Sequence, residues 1–580
     1  MIVLGITETH CATAALLKDG AVIGCASEER FTRLKNDAGY PRLAVDALLR
    51  QSGLTAADID VVALAGTESY AREWMNRVLH DAAYARAYYG VQLEAPARGL
   101  RRRVRKLGAR LGVADPAHGK FQLSEAERLA FVTGHLGIPR ERIVTYDHHT
   151  CHAAAAYFGS PFAGAPALVL TNDNSGDGLC ATASSADGTS VTRREATPSA
   201  PGSLGSFYSF VTLLLGMKFG EHEYKVMGLA PYAPARYAER AEASLREVFD
   251  FEPATPARFA WTRRGARYRL LLEATLGQRF DAIAAGAQRL VEDALLRWAR
   301  LMRERYGGDR LAVGGGVFMN VKANGRIAEE EWLRELFVFP SCGDESNAVG
   351  AAYLACVARG GPMPRPFGPA YLGPDIEAQE VEALIRKRDL AGKYRVTEHE
   401  RMADKIAELL VSDGVVARCA GRMEFGARAL GNRSILANPS DHRVVTLINT
   451  MIKNRDFWMP FAPSILRERE SDYVVNPKGL ASPYMMLAFA TNPKRRDELI
   501  AALHPQDGTA RAHLVDEAWN PEYHGLIREF ERRTGIGAVL NTSFNLHGEP
   551  LVASPADAVD TFERSGLPHL ALDRWLISKK

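Results

Sequence analysis

What this sequence lacks narrows it first. No apolar run approaches the ~20 residues that a membrane-spanning helix needs, so no membrane partner is expected. The seven cysteines are scattered without paired spacing, which argues against a disulfide framework and for a reduced, cytoplasmic setting. No basic leader precedes the strand-like opening MIVLGI, so a signal peptide is not expected. Neither sign of charge dominates: 72 Lys and Arg against 69 Asp and Glu leave a formal net charge of +3. That is too mild to mark the chain as a nucleic-acid binder. The one strongly basic stretch, RGLRRRVRKLGARLG at 98–112, reads as the solvated face of an amphipathic helix. No nucleic-acid partner is therefore expected.

What is present has the mixed composition of a soluble enzyme, in a chain of 580 residues that is long enough for several domains. The first strand, IVLGI, leads through TETHCATAAL to an Asp19-Gly20 turn and the return strand AVIGCASEE. A similar unit follows at 167–197, with strand ALVLT, polar loop NDNSGDGL and CATASSADGTSVTRREA. Cys-Ala-Thr-Ala at 11–14 recurs at 180–183, each copy ahead of an Asp-Gly turn, so a duplication is expected. Two such halves are similar to the actin, Hsp70 and sugar-kinase architecture. In LAVGGGVFMNVKAN (311–324) a strand meets Gly314, Gly315 and Gly316, whose bare backbone can approach a phosphate or adenosine or simply make a tight turn. The Pro/Gly-rich stretch at 358–374 marks a linker, giving domains of 1–360 and 370–580.

The densest chemistry lies in TYDHHTCHAAAA (145–156). If the alanines continue a helix, His148 and His152 stand at i and i+4 on one face, a spacing that lets two imidazoles reach one ion. His149 points elsewhere, Cys151 faces away, and Asp147 caps the helix start or orients a ligand. Two ligands do not fill a site. Asp173 just past a strand end, Asp177 in the same loop and Asp344 at a helix start are the candidates for the rest. Histidines and aspartates together suit Fe(II), Mn(II) or Zn(II).

Several motifs carry a resemblance to a known family. HHTCHAAAAYF, LGSFYSFVTLLLGMKFGEHEYKVMGLAPY (204–232) and GGGVFMN are similar to the N-terminal, TsaD-like domain of the carbamoyltransferases of antibiotic and nodulation-factor biosynthesis. GRMEFGARALGNRSILANP (421–439), NRDFWMPFAPSIL (454–466) and LNTSFNLHGEPLV (540–552) resemble that family's C-terminal, YrdC-like domain. The implied fold is α/β, a duplicated actin/Hsp70-like domain followed by a YrdC-like one. The implied chemistry is ATP-dependent. Carbamoyl phosphate and ATP (with Mg2+) give carbamoyladenylate in the C-terminal domain. The carbamoyl group then passes to a hydroxyl, or alternatively an amine, of a small natural product in the N-terminal domain. The resemblance maps an iron site onto His148, His152, Asp344 and Asp173.

For the polyanionic substrates the C-terminal domain offers Arg422, Arg428, Arg433, Lys453, Arg455 and Arg511, with Asn541, Thr542 and Ser543 as neutral donors. In the N-terminal domain Lys225, Gly228, the glycine triplet and Asn320 are assigned to the adenylate, with Lys225 also a catalytic candidate. His10 is the general-base candidate for the acceptor. The family usually has Asp where Cys11 stands, proline at Ala427 and glutamine at His513. The stretch 70–130 is expected to shape the acceptor pocket, and a homodimer is compatible with the reading. Alternatives are a tRNA threonylcarbamoyl-type transferase and a nucleotide-gated binding module.

Overall fold

The computed structural model describes residues 1–88, 122–412 and 414–580. The basic stretch 98–112, and with it much of 70–130, lies outside the described residues. The chain divides into two compact units: 1–23, 27–29 and 36–366 form the first, and 24–26, 30–35 and 367–580 the second.

The first unit is built on two five-stranded sheets. One runs β3(Ala21–Ser27), β2(Thr13–Lys18), β1(Ile2–Thr7), β4(Val61–Ala65), β5(Ile143–Tyr146). The other runs β8(Ser190–Pro198), β7(Leu179–Gly188), β6(Gly164–Gly176), β11(Arg310–Gly314), β12(Glu335–Val338). In each, the first strand pairs antiparallel with the second and parallel with the fourth, and the fifth is again parallel. This is the same meander-plus-crossover topology twice, the duplicated actin-like architecture. The repeated tetrapeptide occupies equivalent places, for Thr13 pairs with Thr7 and Thr182 with Thr171. Asp19 and Gly20 both adopt positive φ (49° and 79°), as a tight hairpin between right-twisted strands demands. A small hairpin, β9(Phe249–Glu252) with β10(Arg258–Trp261), stands apart from both sheets.

Each fifth strand leads to a helix, His148–Gly159 after β5 and Asn347–Ala358 after β12. Both are rich in alanine and buried around nearly their whole circumference, the pattern of a core helix. The first packs on β6 and β11 and the second on β1, β2 and β4, so each helix covers the other half's sheet. They also pack on one another. A Cβ on Gly350 would lie 1.9 Å from the Cys151 carbonyl oxygen, so only glycine permits this crossing. The two helix N-termini are thereby brought together.

The second unit holds an eight-stranded mixed sheet in the order β13(Arg395–Glu398), β20(Trp575–Ser578), β19(His569–Leu572), β14(Val416–Cys419), β15(Arg433–Ala437), β18(Ala538–Ser543), β16(Ala462–Leu466), β17(His513–Val515). Ile435, Leu540, Phe544, Val552, Phe562 and Leu570 are among its buried core residues. Residues 30–35 belong to this unit through backbone acceptors. Arg30 donates to the Gly426 carbonyl (2.5 Å), and Arg33 to those of Leu551 (2.5 Å) and Pro550 (2.8 Å). Among the described residues no helix is long and apolar enough to cross a membrane.

Candidate metal centre and anion site

His148 and His152 lie one helical turn apart, and their Nε2 atoms are 3.1 Å from each other. Asp173, near the end of β6, brings Oδ2 to 3.3 Å of His148 Nε2 and 3.2 Å of His152 Nε2. Asp344 opens the approach to the second core helix, its Oδ1 at 3.5 and 3.7 Å from the same two nitrogens. One donor atom from each of the four residues lies within 4.8 Å of all the others, and all four side chains are buried. Burial alone would lower the His148 pKa, but Asp344 and Asp173 outweigh it and hold the imidazolium up to about 9. The pocket therefore concentrates negative charge that asks for a cation. A mixed nitrogen and carboxylate set of this spacing fits a divalent ion of the Fe(II), Mn(II) or Zn(II) kind.

The surrounding contacts orient these donors. Ser346 Oγ donates to the Gly343 carbonyl (2.8 Å), so at 3.1 Å its oxygen accepts from His152 Nδ1–H and leaves the Nε2 lone pair turned to the cluster. Asn347 Nδ2 lies 3.2 Å from His152 Nε2. Asp147 caps the helix, accepting from Thr150 N (2.9 Å), and is held by Arg193 on β8. Asp177 is a clasp. Its carboxylate accepts the backbone N–H of His148 (2.7 Å), Thr67 (2.9 Å) and Glu68 (2.9 Å) and is not among the four grouped donors. His149 turns from the cluster to Thr171 Oγ1 (2.8 Å), and burial, with His148 and His152 nearby, pushes it down to about 3. Cys151 is fully buried packing.

His10 stands at the edge of this cluster. Its Nδ1 is 3.2 Å from Asp344 Oδ2, and its side chain is 41% exposed, open to a ligand. Thr9 Oγ1 donates to the same oxygen at 2.7 Å. With Nδ1–H directed at a carboxylate, His10 Nε2 is the nitrogen left to take a proton.

The glycine triplet lies beside the cluster for reasons of packing. Cβ atoms on Gly314, Gly315 and Gly316 would meet the His152 carbonyl oxygen at 3.0 Å, the Asn172 oxygen at 2.3 Å and Asp173 Oδ1 at 3.0 Å. Asn320 caps the helix Val321–Ala328 and exchanges hydrogen bonds with Gln288 at 3.0 Å. Lys225 and Gly228 sit buried on the helix Glu223–Leu229.

The residues proposed for the second unit fall into two groups. Arg433 is fully buried; its Nε and Nη1 donate to the carbonyls of Ala553, Ala420, Gly421 and Asn432, and its Nη2 has no hydrogen-bond partner among the described residues. Arg422 donates to the carbonyls of Leu372 and Gly373, and Asn541 to Ala429 O and Ser464 Oγ. These three hold loops. The other group gathers charge. Arg455 donates to Thr542 Oγ1 (3.1 Å), and Lys453 Nζ reaches Ser543 Oγ (3.0 Å) and Asn545 Oδ1 (2.9 Å). Burial, together with Arg428 and Arg455, pushes Arg511 well below its usual pKa, and its Nε has no hydrogen-bond partner among the described residues. Burial, with Arg455 and Lys35, does the same to Lys453, although four oxygen acceptors hold its ammonium form. Positive groups gathered this closely suit an anion. His513, pushed down to about 3 by burial, donates no charge to it.

Sequence reading missed Thr9, Ser346, Asn347 and the clasping role of Asp177. Thr9 adjoins His10, Ser346 and Asn347 lie just past Asp344, and Asp177 reads in sequence only as a candidate ligand; none has a spacing pattern that announces its role.

Residues 2–353 match the family model of the carbamoyltransferase N-terminus, and residues 407–579 that of the carbamoyltransferase C-terminus. The uncharacterized protein sll1178 of Synechocystis sp. is 31% identical, across 100% of this chain and 96% of that protein. Nodulation protein NolNO of Sinorhizobium fredii is 31% identical, across 99% of this chain and 80% of its own. Uncharacterized protein MJ1051 of Methanocaldococcus jannaschii is 30% identical, with 100% of both chains covered.

Proposed function

The chain belongs to the carbamoyltransferase family and is a carbamoyltransferase, and from that premise we propose a two-step, ATP-dependent reaction divided between its units. In the second unit, carbamoyl phosphate and water yield phosphate and carbamate, whose oxygen attacks the α-phosphorus of MgATP and expels pyrophosphate. Arg428, Arg455, Arg511 and Lys453 neutralise the phosphate oxygens there, and Thr542 and Ser543 supply hydroxyls. In the first unit, the acceptor hydroxyl attacks the carbamoyl carbon of the resulting carbamoyladenylate. The new carbon–oxygen bond forms as the bond to the adenylate breaks. AMP leaves with the electron pair, and the acceptor's proton passes to His10 Nε2. Asp344 Oδ2, facing Nδ1, orients the ring for that transfer. Lys225, Gly228 and Asn320 are assigned to the adenylate, and the glycine triplet to a wall beside it.

His148, His152, Asp173 and Asp344 would hold a divalent ion, Fe(II) in the reading we favour. When bound, it would supply a positive counter-charge for phosphate oxygens and polarise the carbamoyl group. The acceptor class is a hydroxylated small molecule, and the setting is cytoplasmic, in keeping with seven unbridged cysteines.

The observation that carries this reading is His10 set on the same carboxylate that faces both histidines. The test separates the steps. A His148→Ala/His152→Ala protein should lose its metal and its carbamoyl transfer but keep carbamoyl-phosphate-dependent pyrophosphate release. Arg511→Met should slow pyrophosphate release at least ~10-fold at subsaturating carbamoyl phosphate while retaining metal. Equal loss of the first step in both proteins would refute the division of labour.

A further inference from the structure

The helix Glu125–Leu136 carries a charged residue where a core residue belongs. Arg128 is buried beside Leu129 and Val132 on its inner face, and at 2% exposure it has left water entirely. A guanidinium is costly to bury unless every contact is good. Its Nε donates to Glu8 Oε2 at 2.5 Å, and Glu8 is also only 2% exposed. Its remaining nitrogens reach the carbonyls of Gly66 (2.8 Å) and Ala65 (3.4 Å) at the end of β4.

Those partners lead in two directions. Glu8 is followed by Thr9 and His10, the two residues that hold Asp344 Oδ2. Gly66 is followed by Thr67 and Glu68, whose amides share the Asp177 carboxylate with the amide of His148. The Gly66 amide itself donates to the Tyr146 carbonyl (2.8 Å), two residues ahead of His148. One side chain thus ties the turn bearing His10 to the loop that fixes the start of the His148 helix.

We propose that Arg128 is a positioning residue for carbamoyl transfer: it sets the separation between His10 and the four-donor cluster. It touches neither substrate nor donor atoms and acts through Glu8 on one side and Gly66 on the other. Lysine in its place keeps the charge but not the planar fork that spans both partners. The proposal rests on the reading of His10 as the base.

The experiment uses the full-length protein supplied with carbamoyl phosphate and MgATP. Three rates are followed: pyrophosphate release, AMP release with water as acceptor, and carbamoyl trapping by hydroxylamine, a nucleophile that needs no base. Arg128→Lys and the neutral pair Glu8→Gln/Arg128→Met should lower AMP release at least tenfold. Pyrophosphate release, hydroxylamine trapping and metal content should stay within about twofold of the parent, and His10→Ala should show the same signature. Two results would overturn the proposal while leaving the function standing. One is parent-like AMP release in both Arg128 proteins alongside a slow His10→Ala. The other is a parallel fall of trapping and metal content, which would make Arg128 a support of the whole pocket. Parent AMP release no faster than that of His10→Ala would remove both the proposal and the role of His10.

Discussion

Asp344 turns its two oxygens to different neighbours, Oδ1 to the histidine pair and Oδ2 to Thr9 and His10. Replacing it by asparagine keeps its shape and removes its charge. Asp344→Asn should lower the affinity for Mn2+ by at least ~100-fold, measured by chelator competition, and abolish transfer. Thr9→Val is gentler. It should slow transfer by ~10-fold and leave metal content unchanged, because it removes one hydrogen bond to the oxygen that faces away from the histidines. His148 and His152 were legible from their spacing, since four residues make one helical turn. Thr9 was not, because its partner lies 335 positions away and no local pattern announces such a contact. The six basic residues of the second unit look alike in sequence, and only the fold separates Arg433, which binds four carbonyls, from Arg511, which is pressed against other cations. Arg511→Met should accordingly raise the KM for carbamoyl phosphate by ~10–100-fold, the worth of a charge-assisted hydrogen bond.

Among the elements, the crossing of the two core helices sets the site. Gly350→Ala would force a methyl to within 1.9 Å of the Cys151 carbonyl, against backbone that has no room to move. It should cost at least ~1–3 kcal/mol in denaturant unfolding and release metal, because His148 and Asp344 ride on the elements that separate. Asp177→Ala should cost ~1–3 kcal/mol by leaving the part-buried amide of His148 without its acceptor and freeing the Thr67–Glu68 loop from the helix start. The duplication could be read from Cys-Ala-Thr-Ala and its Asp-Gly turns because register repeats when sequence does. The reciprocal packing of each helix on the other half's sheet could not. Alanine-rich helices buried all round carry no face that points to a partner.

For the molecule as a whole, the two units differ in how they use the chain. A proline- and glycine-rich linker is visible in composition, but nothing marks residues 24–26 and 30–35 as members of the second unit. Their ties run to backbone carbonyls, which every residue possesses. Arg33→Ala should therefore weaken the second unit, by ~1.5–3 kcal/mol from lost charge-assisted bonds. Calorimetry should show its transition falling while metal content in the first unit is unchanged.

That membership also governs the order of synthesis and inheritance. The second unit draws on residues made well before the rest of it, so it cannot close until residues 367–580 have followed. Until then Arg30 and Arg33 wait for the carbonyls of Gly426, Leu551 and Pro550. A gene cut at the linker would strand both arginines on the wrong product. Such a cut should leave the second unit less stable than in the intact chain.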